Sequence, residues 1–389
     1  MTPRLRGPSS LAFAGPAQWY PRTVPSSAFR ASHRHVSSST SSSSSSSTSS
    51  SKRGTFVRIA VVTATAGSIG AYIRWQQDSK NSTLNPFTFT HYELVSREPI
   101  SSTSSLFTLR PVKPGHNREV YEAAWRTGVW SVMFKQPQLQ IGRDYTPLPP
   151  IEKVSDTAEN ILEGEDQEPL RFLIRRDPHG EVSRYLHGLS LGSTVEMRGP
   201  QVECEIPSDV KDILFIAGGT GIAPALQAAY TLLRRDNGTA GSRIHILWAN
   251  RKREDCLGGS NDSLQSPAER PWWRKLLSSS PATAAPEDPS KGLIVKELET
   301  LKSQFPGQIT VDYFVDEERT MIDKQSILRF TKSSDASTGR GKLILVSGPD
   351  GFISYMAGPK MWAEGRELQG PLQGIIRELD LKGWNVWKL

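Results

Sequence analysis

Three side chains with useful chemistry lie close together between Arg143 and Pro147. The segment R-D-Y-T-P brings a cation, an aromatic ring and a hydroxyl group into one short stretch. In an extended strand Arg143 and Tyr145 share a face and Thr146 points away, unless the chain bends at Pro147. A flavin dinucleotide needs these groups, because a guanidinium can bind the pyrophosphate, a ring can lie along the isoalloxazine, and a hydroxyl or amide can bond to flavin N5. Taken alone, the pentapeptide fits a surface strand before a turn equally well.

A second candidate for phosphate binding lies further along the chain. Gly180–Ser183 (G-E-V-S) precedes R-Y-L, which predicts a short helix beginning near this glycine. The unpaired N–H groups of a helix start, together with the Ser183 hydroxyl, can hold a pyrophosphate. The next segment, Leu191–Pro200 (L-G-S-T-V-E-M-R-G-P), predicts a turn, a strand and a Gly-Pro stop.

A glycine-rich turn follows a predicted buried strand near the middle of the chain. The apolar run Asp212–Ala217 is typical of a strand in a parallel sheet, and Gly218–Pro224 (G-G-T-G-I-A-P) leads from it into a helix that ends at about Arg235. Glycines in such a turn let the backbone approach a phosphate, and a helix N-terminus favours negative charge. The turn is not G-x-G-x-x-G, so it is a weak signal by itself.

The three motifs R-D-Y-T-P, G-E-V-S-R-Y-L and L-G-S-T-V-E-M-R-G-P, in this order, resemble the FAD domain of the cytochrome b5 reductase branch of the ferredoxin reductase superfamily. The resemblance implies an antiparallel β barrel that binds FAD, followed by an α/β domain whose parallel sheet binds a nicotinamide dinucleotide. The family's flavin-binding positions fall on Arg143, Tyr145, Thr146, Arg175, Gly180, Val182 and Ser183. The implied cofactors are FAD and either NADH or NADPH.

The resemblance extends to the nicotinamide side, with one departure. The family's positions there fall on Gly218, Gly219, Thr220, Gly221, Pro224, Gly348 and Pro349. The turn S-G-P-D-G-F resembles the family's C-G-P turn beside the nicotinamide, but Ser347 stands in place of the usual cysteine. Its hydroxyl can still contact the carboxamide, so we expect an altered rate or cofactor preference rather than loss of activity. Thr146, Thr220 and Ser347 are the residues expected nearest the reacting atoms.

Two further features bear on the ligands and remain open. Asn250 is followed by three cations, Arg251–Arg253, where the family places the adenosine ribose. They could hold a 2′-phosphate and favour NADPH, or form a solvated basic loop. The C-terminal Trp384 and Trp387 differ from the family's aromatic terminus. They could cover the isoalloxazine, dock on a haem-bearing partner, or pack on the surface.

The element pattern predicts an FAD-binding barrel over 87–205 and an NAD(P)-binding α/β domain over 206–389. Predicted barrel strands are Phe87–Leu94, Ser105–Leu109, Trp130–Phe134, Leu170–Arg175 and Thr194–Arg198. Predicted strands of the parallel sheet, besides Asp212–Ala217, are Arg243–Ala249, Gln308–Val315 and Lys342–Val346. An acidic loop between Pro147 and Pro169 and a Ser/Pro-rich insertion over 255–290, with Trp272-Trp273, interrupt the two domains.

The N-terminal part has the composition of a mitochondrial transit peptide. The net charge is +7, yet Asp78 is the first acidic residue, and the region before it is rich in arginine and serine. We therefore predict a transit peptide and Ser-rich leader over 1–52. A basic nucleic-acid-binding arm is the alternative, but no nucleic-acid-binding motif follows it. The two cysteines, Cys204 and Cys256, are too few for a disulfide framework or a zinc site and are expected to be structural thiols.

A membrane span is predicted directly after this leader. Residues 56–73 are apolar or small apart from Arg58, and about 20 such residues are needed to cross a bilayer as a helix. A cleaved or peripheral leader helix is the alternative. Lys52, Arg53 and Arg58 lie before the span, which predicts an inner-membrane protein whose N-terminus is in the matrix and whose catalytic part faces the intermembrane space.

These features predict an NAD(P)H-dependent flavin oxidoreductase whose electron acceptor is haem or a haem protein. The combination of leader, span, reductase module and Trp-rich tail is similar to mitochondrial flavoproteins that support cytochrome c haem attachment. Cytochrome c, apocytochrome c and cytochrome b5 are the candidate partners. Two alternatives stay open: a cytochrome b5 reductase paralogue, and an assembly factor that retains FAD with little turnover.

Overall fold

The computed structural model describes residues 82–150, 168–235, 241–263, 291–334 and 341–389. The predicted leader (1–52), the predicted span (56–73), most of the acidic loop and the Trp272-Trp273 pair lie outside these ranges. No helix within them is both long and apolar enough to cross a membrane. The described chain forms an antiparallel sheet, then a parallel sheet with helices.

The first sheet is antiparallel and must curl on itself. Its strands are β1 (Thr90–Pro99), β2 (Ser104–Pro111), β3 (Gly128–Gln136), β4 (Ile141–Tyr145), β5 (Pro147–Leu148), β6 (Leu170–Arg175) and β7 (Thr194–Glu205). They are arranged in the order β4-β3-β7-β1-β2-β6-β5, and each neighbouring pair is antiparallel. The edge strands β4 and β5 are separated in sequence by Thr146 alone. The chain therefore passes directly from one edge of the sheet to the other, which requires a barrel-like curl.

Alternating side chains fill the interior of this sheet. Trp130, Phe134 and Phe172 are completely buried, and the rings of Phe134 and Phe172 meet edge to face with centroids 4.8 Å apart. The helix α1 (Asn117–Thr127) covers one end, placing Trp125 against Trp130 at 4.9 Å. This helix was not predicted from the sequence, although the buried residues Tyr121, Ala124 and Trp125 have helical spacing.

The start of the first strand differs from the prediction. The strand expected over Phe87–Leu94 begins at Thr90, and Phe87 is 87% exposed. The side-chain oxygen of Asn85 accepts hydrogen bonds from the backbone N–H groups of Phe87 and Thr88, at 3.1 and 2.8 Å. This local turn takes those N–H groups out of the ladder and delays the strand.

The second sheet is parallel and lies in the C-terminal half, as predicted. Its strands are β8 (Val210–Gly218), β9 (Arg243–Asn250), β10 (Ile309–Val315), β11 (Gly341–Ser347) and β14 (Trp384–Lys388), in the order β10-β9-β8-β11-β14. The remaining elements are α2 (Glu181–Gly188), α3 (Ile222–Arg235), α4 (Leu293–Gln304), α5 (Lys324–Ser334), α6 (Asp350–Ala357), α7 (Gly374–Glu378) and the hairpin β12 (Met361–Ala363) and β13 (Arg366–Leu368). Apolar residues on both faces of β8 and β11 are buried, which is typical of a parallel sheet covered by helices.

The C-terminal tail forms an additional strand of this sheet. Residues Trp384–Lys388 pair in parallel with β11, and Trp384 is buried beside Phe330. Trp387 is 37% exposed, and its indole N–H donates to the carbonyl of Glu203 at 3.1 Å. Both tryptophans therefore have packing roles in the fold.

Candidate functional site

A cavity of about 620 Å3 is lined by residues from both sheets. Ligand sites for small molecules and cofactors have volumes of about 300–1,000 Å3. The predicted residues that line it are Arg143, Tyr145, Arg175, Gly180, Val182, Ser183, Thr220, Gly348 and Pro349. The structure thus brings the barrel motifs and the two glycine turns of the α/β part into one space.

Six predicted residues do not line the cavity. They are Thr146, Gly218, Gly219, Gly221, Pro224 and Ser347. Thr146 lies half-buried between β4 and β5, and Ser347 is 8% exposed at the end of β11. Gly219 borders a small space of about 10 Å3 that also contacts Thr220 and Arg175. These six residues are therefore not part of the cavity surface.

The strand β4 supplies a cation and a ring to the cavity. Arg143 is exposed, and within the described chain its guanidinium makes a single hydrogen bond, to the carbonyl of Gly142 at 2.9 Å. The remaining donors are available to an anion. Tyr145 meets Phe134 edge to face at 5.1 Å, and burial raises the pKa of its phenol to about 12. Tyr145 is therefore a neutral ring at physiological pH.

The turn before α2 has the geometry of a phosphate cradle. The hydroxyl of Ser183 donates to the carbonyl of Gly180 and accepts from the N–H of Asp177, both at 3.1 Å. A Cβ atom at Gly180 would lie 2.8 Å from that hydroxyl oxygen, so the turn requires glycine there. The Ser183 hydroxyl thus holds the turn, and the N–H groups of the first turn of α2 are the groups that can bind a phosphate.

The turns after β8 and β11 are in direct contact. Gly219 has a φ angle of +57°, and its carbonyl accepts a hydrogen bond from the Trp248 indole at 2.9 Å. A Cβ atom at Gly221 would lie 2.5 Å from the carbonyl oxygen of Ser347. Because β8 and β11 are parallel neighbours, their carboxyl ends meet at one edge, where α/β sheets bind ligands.

Ten further lining residues were outside the predicted flavin and nicotinamide positions, although Arg251 and Lys252 belong to the segment noted as a possible 2′-phosphate site. The ten are Thr103, Asp144, Leu173, Arg176, Asp177, Pro178, Glu181, Arg251, Lys252 and Asp255. The turn D-P-H-G at 177–180 directly precedes the predicted phosphate turn, and this local signal could have included Asp177 and Pro178. Asp255 had no such signal, because its contacts are with residues distant in sequence.

The cavity lining carries a small excess of basic over acidic residues, which suits an anionic ligand. Five basic residues (Arg143, Arg175, Arg176, Arg251, Lys252) and four acidic residues (Asp144, Asp177, Glu181, Asp255) line it. Burial raises the pKa of Asp144, and the nearby carboxylate of Glu203 raises it further. Arg143, the α2 start and the ring of Tyr145 fit a dinucleotide with a flat aromatic group. No cluster of His, Cys, Asp or Glu in the described ranges could hold a metal ion.

The two cysteines lie outside the cavity lining. Cys204 and Cys256 are both buried and free, and burial raises their pKa values to about 12 and about 11. A thiol with so high a pKa is a poor nucleophile at neutral pH.

Comparison with known proteins finds similarity to an oxidoreductase domain. Residues 215–274 match the family model described as an oxidoreductase NAD-binding domain. This segment begins in β8 and contains the glycine-rich turn, α3 and β9.

Three curated relatives are similar over about half of the chain. The cytochrome c mitochondrial import factor CYC2 of Saccharomyces cerevisiae is 27% identical over 204 residues, which is 43% of this chain and 56% of that protein. An uncharacterized FAD-binding protein of Schizosaccharomyces pombe is 29% identical over 179 residues (45% and 59%). NADH-cytochrome b5 reductase 2 of Meyerozyma guilliermondii is 25% identical over 225 residues (56% and 61%). The chain is thus similar in sequence to a cytochrome b5 reductase, to CYC2 and to an FAD-binding protein, and it spans less than two thirds of each of them.

The chain is also similar to solved structures. The cytochrome b5 reductase domain of Ulva prolifera nitrate reductase aligns with a TM-score of 0.46 and 20% identity, covering 70% of this chain and 91% of that domain.

Proposed function

We propose that this protein is a mitochondrial flavoenzyme that oxidises NADH or NADPH through FAD and passes the electrons to haem or a haem protein. The observation that carries the proposal is one cavity lined both by the flavin-binding positions of the barrel and by the two glycine turns of the parallel sheet. The match to an oxidoreductase NAD-binding domain supports the donor, and a relative named as an FAD-binding protein supports the flavin.

The chain's own residues bind and position the ligands. Arg143 and the N–H groups of the α2 start would hold the flavin pyrophosphate, and the ring of Tyr145 would contact the isoalloxazine. Thr220 and the Gly348-Pro349 turn would contact the donor, while Gly219 and Gly221 fix the conformation of the turn that carries Thr220. When bound, FAD supplies an acceptor for two electrons that it can release one at a time. Catalysis of this kind rests on orientation and exclusion of water and needs no nucleophile or metal.

The acceptor and the location are proposed from the relatives and the leader. CYC2 is named as a mitochondrial import factor for cytochrome c, and residues 1–52 have the composition of a transit peptide. We place the protein in the inner membrane through residues 56–73, with the catalytic part in the intermembrane space, where it would reduce haem iron for attachment to apocytochrome c. Cytochrome b5 is the second candidate acceptor, because other relatives are named NADH-cytochrome b5 reductases.

The test uses the full chain purified in detergent. We expect a yellow protein whose flavin absorbance bleaches under anaerobic mixing with NADH or NADPH. Its reoxidation by haem, by apocytochrome c with haem, and by cytochrome b5 then identifies the acceptor. Arg143→Glu should lose the flavin, and the matched control Arg118→Glu, on the exposed face of α1, should keep it. A colourless protein that cannot be reconstituted would overturn the proposal.

A further inference from the structure

We propose that Arg175 and Asp255 form a latch that fixes the barrel against the parallel-sheet part across the cavity, so that Arg175 is a positioning residue and not a flavin ligand. This inference rests on the proposed function, since the latch would set the position of the donor relative to the flavin. It assigns a different role to an arginine that the family resemblance places on the flavin.

The carboxylate of Asp255 is bound entirely by groups of the barrel. One oxygen accepts from Arg175 Nη2 at 2.6 Å, and the other accepts from the hydroxyl of Ser101, also at 2.6 Å. The Asp255 side chain is 8% exposed and that of Arg175 is 25% exposed. Asp255 lies in the 3-10 turn Arg253–Cys256 that follows β9, and Arg175 ends β6. The pair therefore joins two elements that are 80 residues apart.

A neighbouring contact strengthens the same attachment. Glu254 accepts hydrogen bonds from the hydroxyl and the backbone N–H of Ser102, at 2.5 and 3.2 Å. Ser101 and Ser102 belong to the turn between β1 and β2. Glu254 and Asp255 are therefore both bound by this turn of the barrel, and Asp255 is also bound by Arg175. Breaking the ion pair would leave Asp255 as a buried carboxylate without its cation, which is strongly unfavourable.

The position of the latch distinguishes it from the rest of the contact between the two parts. Arg175 and Asp255 both line the cavity, and the Arg175 guanidinium lies beside the donor turn, where a Cβ atom added at Gly219 would lie 3.3 Å from its Nη1. Other attachments between the two parts, such as those of Gln227, Thr231 and Arg235 of α3, involve residues that do not line the cavity. The latch therefore joins the two parts at the ligand cavity itself.

The chain contains a matched control for this pair. Arg171 and Glu297 also join β6 to the parallel-sheet part, with a distance of 2.6 Å and side chains 15% and 14% exposed. Neither residue lines the cavity. A general docking role predicts the same effect from both pairs, whereas a positioning role predicts an effect on electron transfer from the Arg175 pair alone.

The experiment compares Arg175→Gln, Asp255→Asn, their double variant, Arg171→Gln and Glu297→Gln in the full chain. We expect all of them to retain flavin. At saturating NADH the rate of flavin reduction should fall at least tenfold in both latch variants, because a displacement of about 1 Å can cost about 100-fold. The double variant should reduce its flavin no more slowly than either single variant. The rates of Arg171→Gln and Glu297→Gln should stay within about twofold of the parent, whereas a tenfold change corresponds to about 1.4 kcal/mol.

Three outcomes would overturn the latch. These are loss of flavin in Arg175→Gln with an unaffected Asp255→Asn, equal slowing in Arg171→Gln, or parental rates in both latch variants. If either variant is poorly folded, Arg175→Lys keeps the charge and should give an intermediate rate. Hydrogen exchange at residues 101–103 and 253–256 should rise in the latch variants and not in the controls. This last readout needs no flavin, so it separates failure of the latch from failure of the proposed function.

Discussion

Arg253 binds Glu318 through two nitrogens of its guanidinium, with Nε at 2.6 Å from the carboxylate. The contact joins the turn after β9 to the 3-10 turn Asp316–Glu318 after β10, which are adjacent because Asn250 pairs with Val315 in the parallel ladder. The backbone N–H of Arg253 also donates to Glu317 at 2.5 Å, and Lys252 pairs with Glu254 at 3.4 Å. Of the three cations whose role the sequence left open, Arg253 is thus bound to this acidic turn and Lys252 is paired with Glu254.

This arrangement predicts a preference for NADH. A 2′-phosphate would meet the carboxylates of the Asp316–Glu318 turn, and Arg253 is already bound. Glu318→Gln removes one carboxylate and should raise kcat/KM for NADPH relative to NADH by about tenfold, equivalent to about 1.4 kcal/mol. The binding ratio of 2′,5′-ADP to 5′-AMP, measured by calorimetry, should shift in the same direction.

Glu122→Gln, an exposed variant on α1, serves as the control for charge and should leave both ratios unchanged. An unaltered ratio in Glu318→Gln, or a parent that prefers NADPH, would contradict this prediction.

A methyl group at Gly221 should separate the two donor turns. Its Cβ atom would lie 2.5 Å from the carbonyl oxygen of Ser347 and 3.2 Å from the nitrogen of Gly348, and backbone must move to accept it. We expect Gly221→Ala to cost about 1–3 kcal/mol of unfolding free energy, as overpacked sites do, and to weaken donor binding while flavin is retained. Urea unfolding and NADH titration measure the two effects. Gly351→Ala, where no atom lies within 4 Å of the new Cβ, should be neutral in both.

The buried Gln227 should contribute strongly to stability. Its carboxamide accepts from the N–H of Trp130 and donates to the carbonyl of Pro147, both at 2.8 Å, and the side chain is fully buried. Gln227→Leu keeps the size and removes both bonds, which should cost about 1–3 kcal/mol for each backbone group left without a partner. Chemical denaturation tests this value. A loss no larger than that of Gln304→Leu, at the partly buried end of α4, would show that the two bonds contribute little.

Asp312 should make stability depend on pH in acid. Burial by itself raises the pKa of its carboxyl, but hydrogen bonds from His245 and Ser263 outweigh burial and lower it to about 2. The unfolded value is about 3.9, so the stabilisation is complete above that pH and is lost as the pH falls towards 2. The difference in unfolding free energy between the parent and Asp312→Asn should shrink by about 1 kcal/mol from pH 5 to pH 3. A difference that stays constant over this range would contradict the assignment.

Local patterns in the sequence were sufficient to predict two sheets and nine of the residues that line the cavity. Short runs of β-forming residues between turn signals indicated the barrel strands, and apolar runs indicated strands of the parallel sheet, because strand propensity and burial are read from neighbouring residues. The motifs around Arg143, Gly180 and Gly219 were recognisable for the same reason. Each one is a short segment whose backbone conformation depends on its own residues, such as the +57° φ angle at Gly219.

Contacts between distant segments were decided by the tertiary structure alone. The sequence left the role of the three cations Arg251–Arg253 open, whereas in the folded chain the strand order β10-β9-β8 places Glu318 next to Arg253. The sequence resemblance placed Arg175 among the flavin contacts, whereas in the folded chain Arg175 is paired with Asp255. The sequence left three possible roles for Trp384 and Trp387, whereas in the folded chain they belong to a strand at the edge of the parallel sheet. Such pairings depend on strand order and on which side chains are buried together, and neither property is contained in any short stretch of sequence.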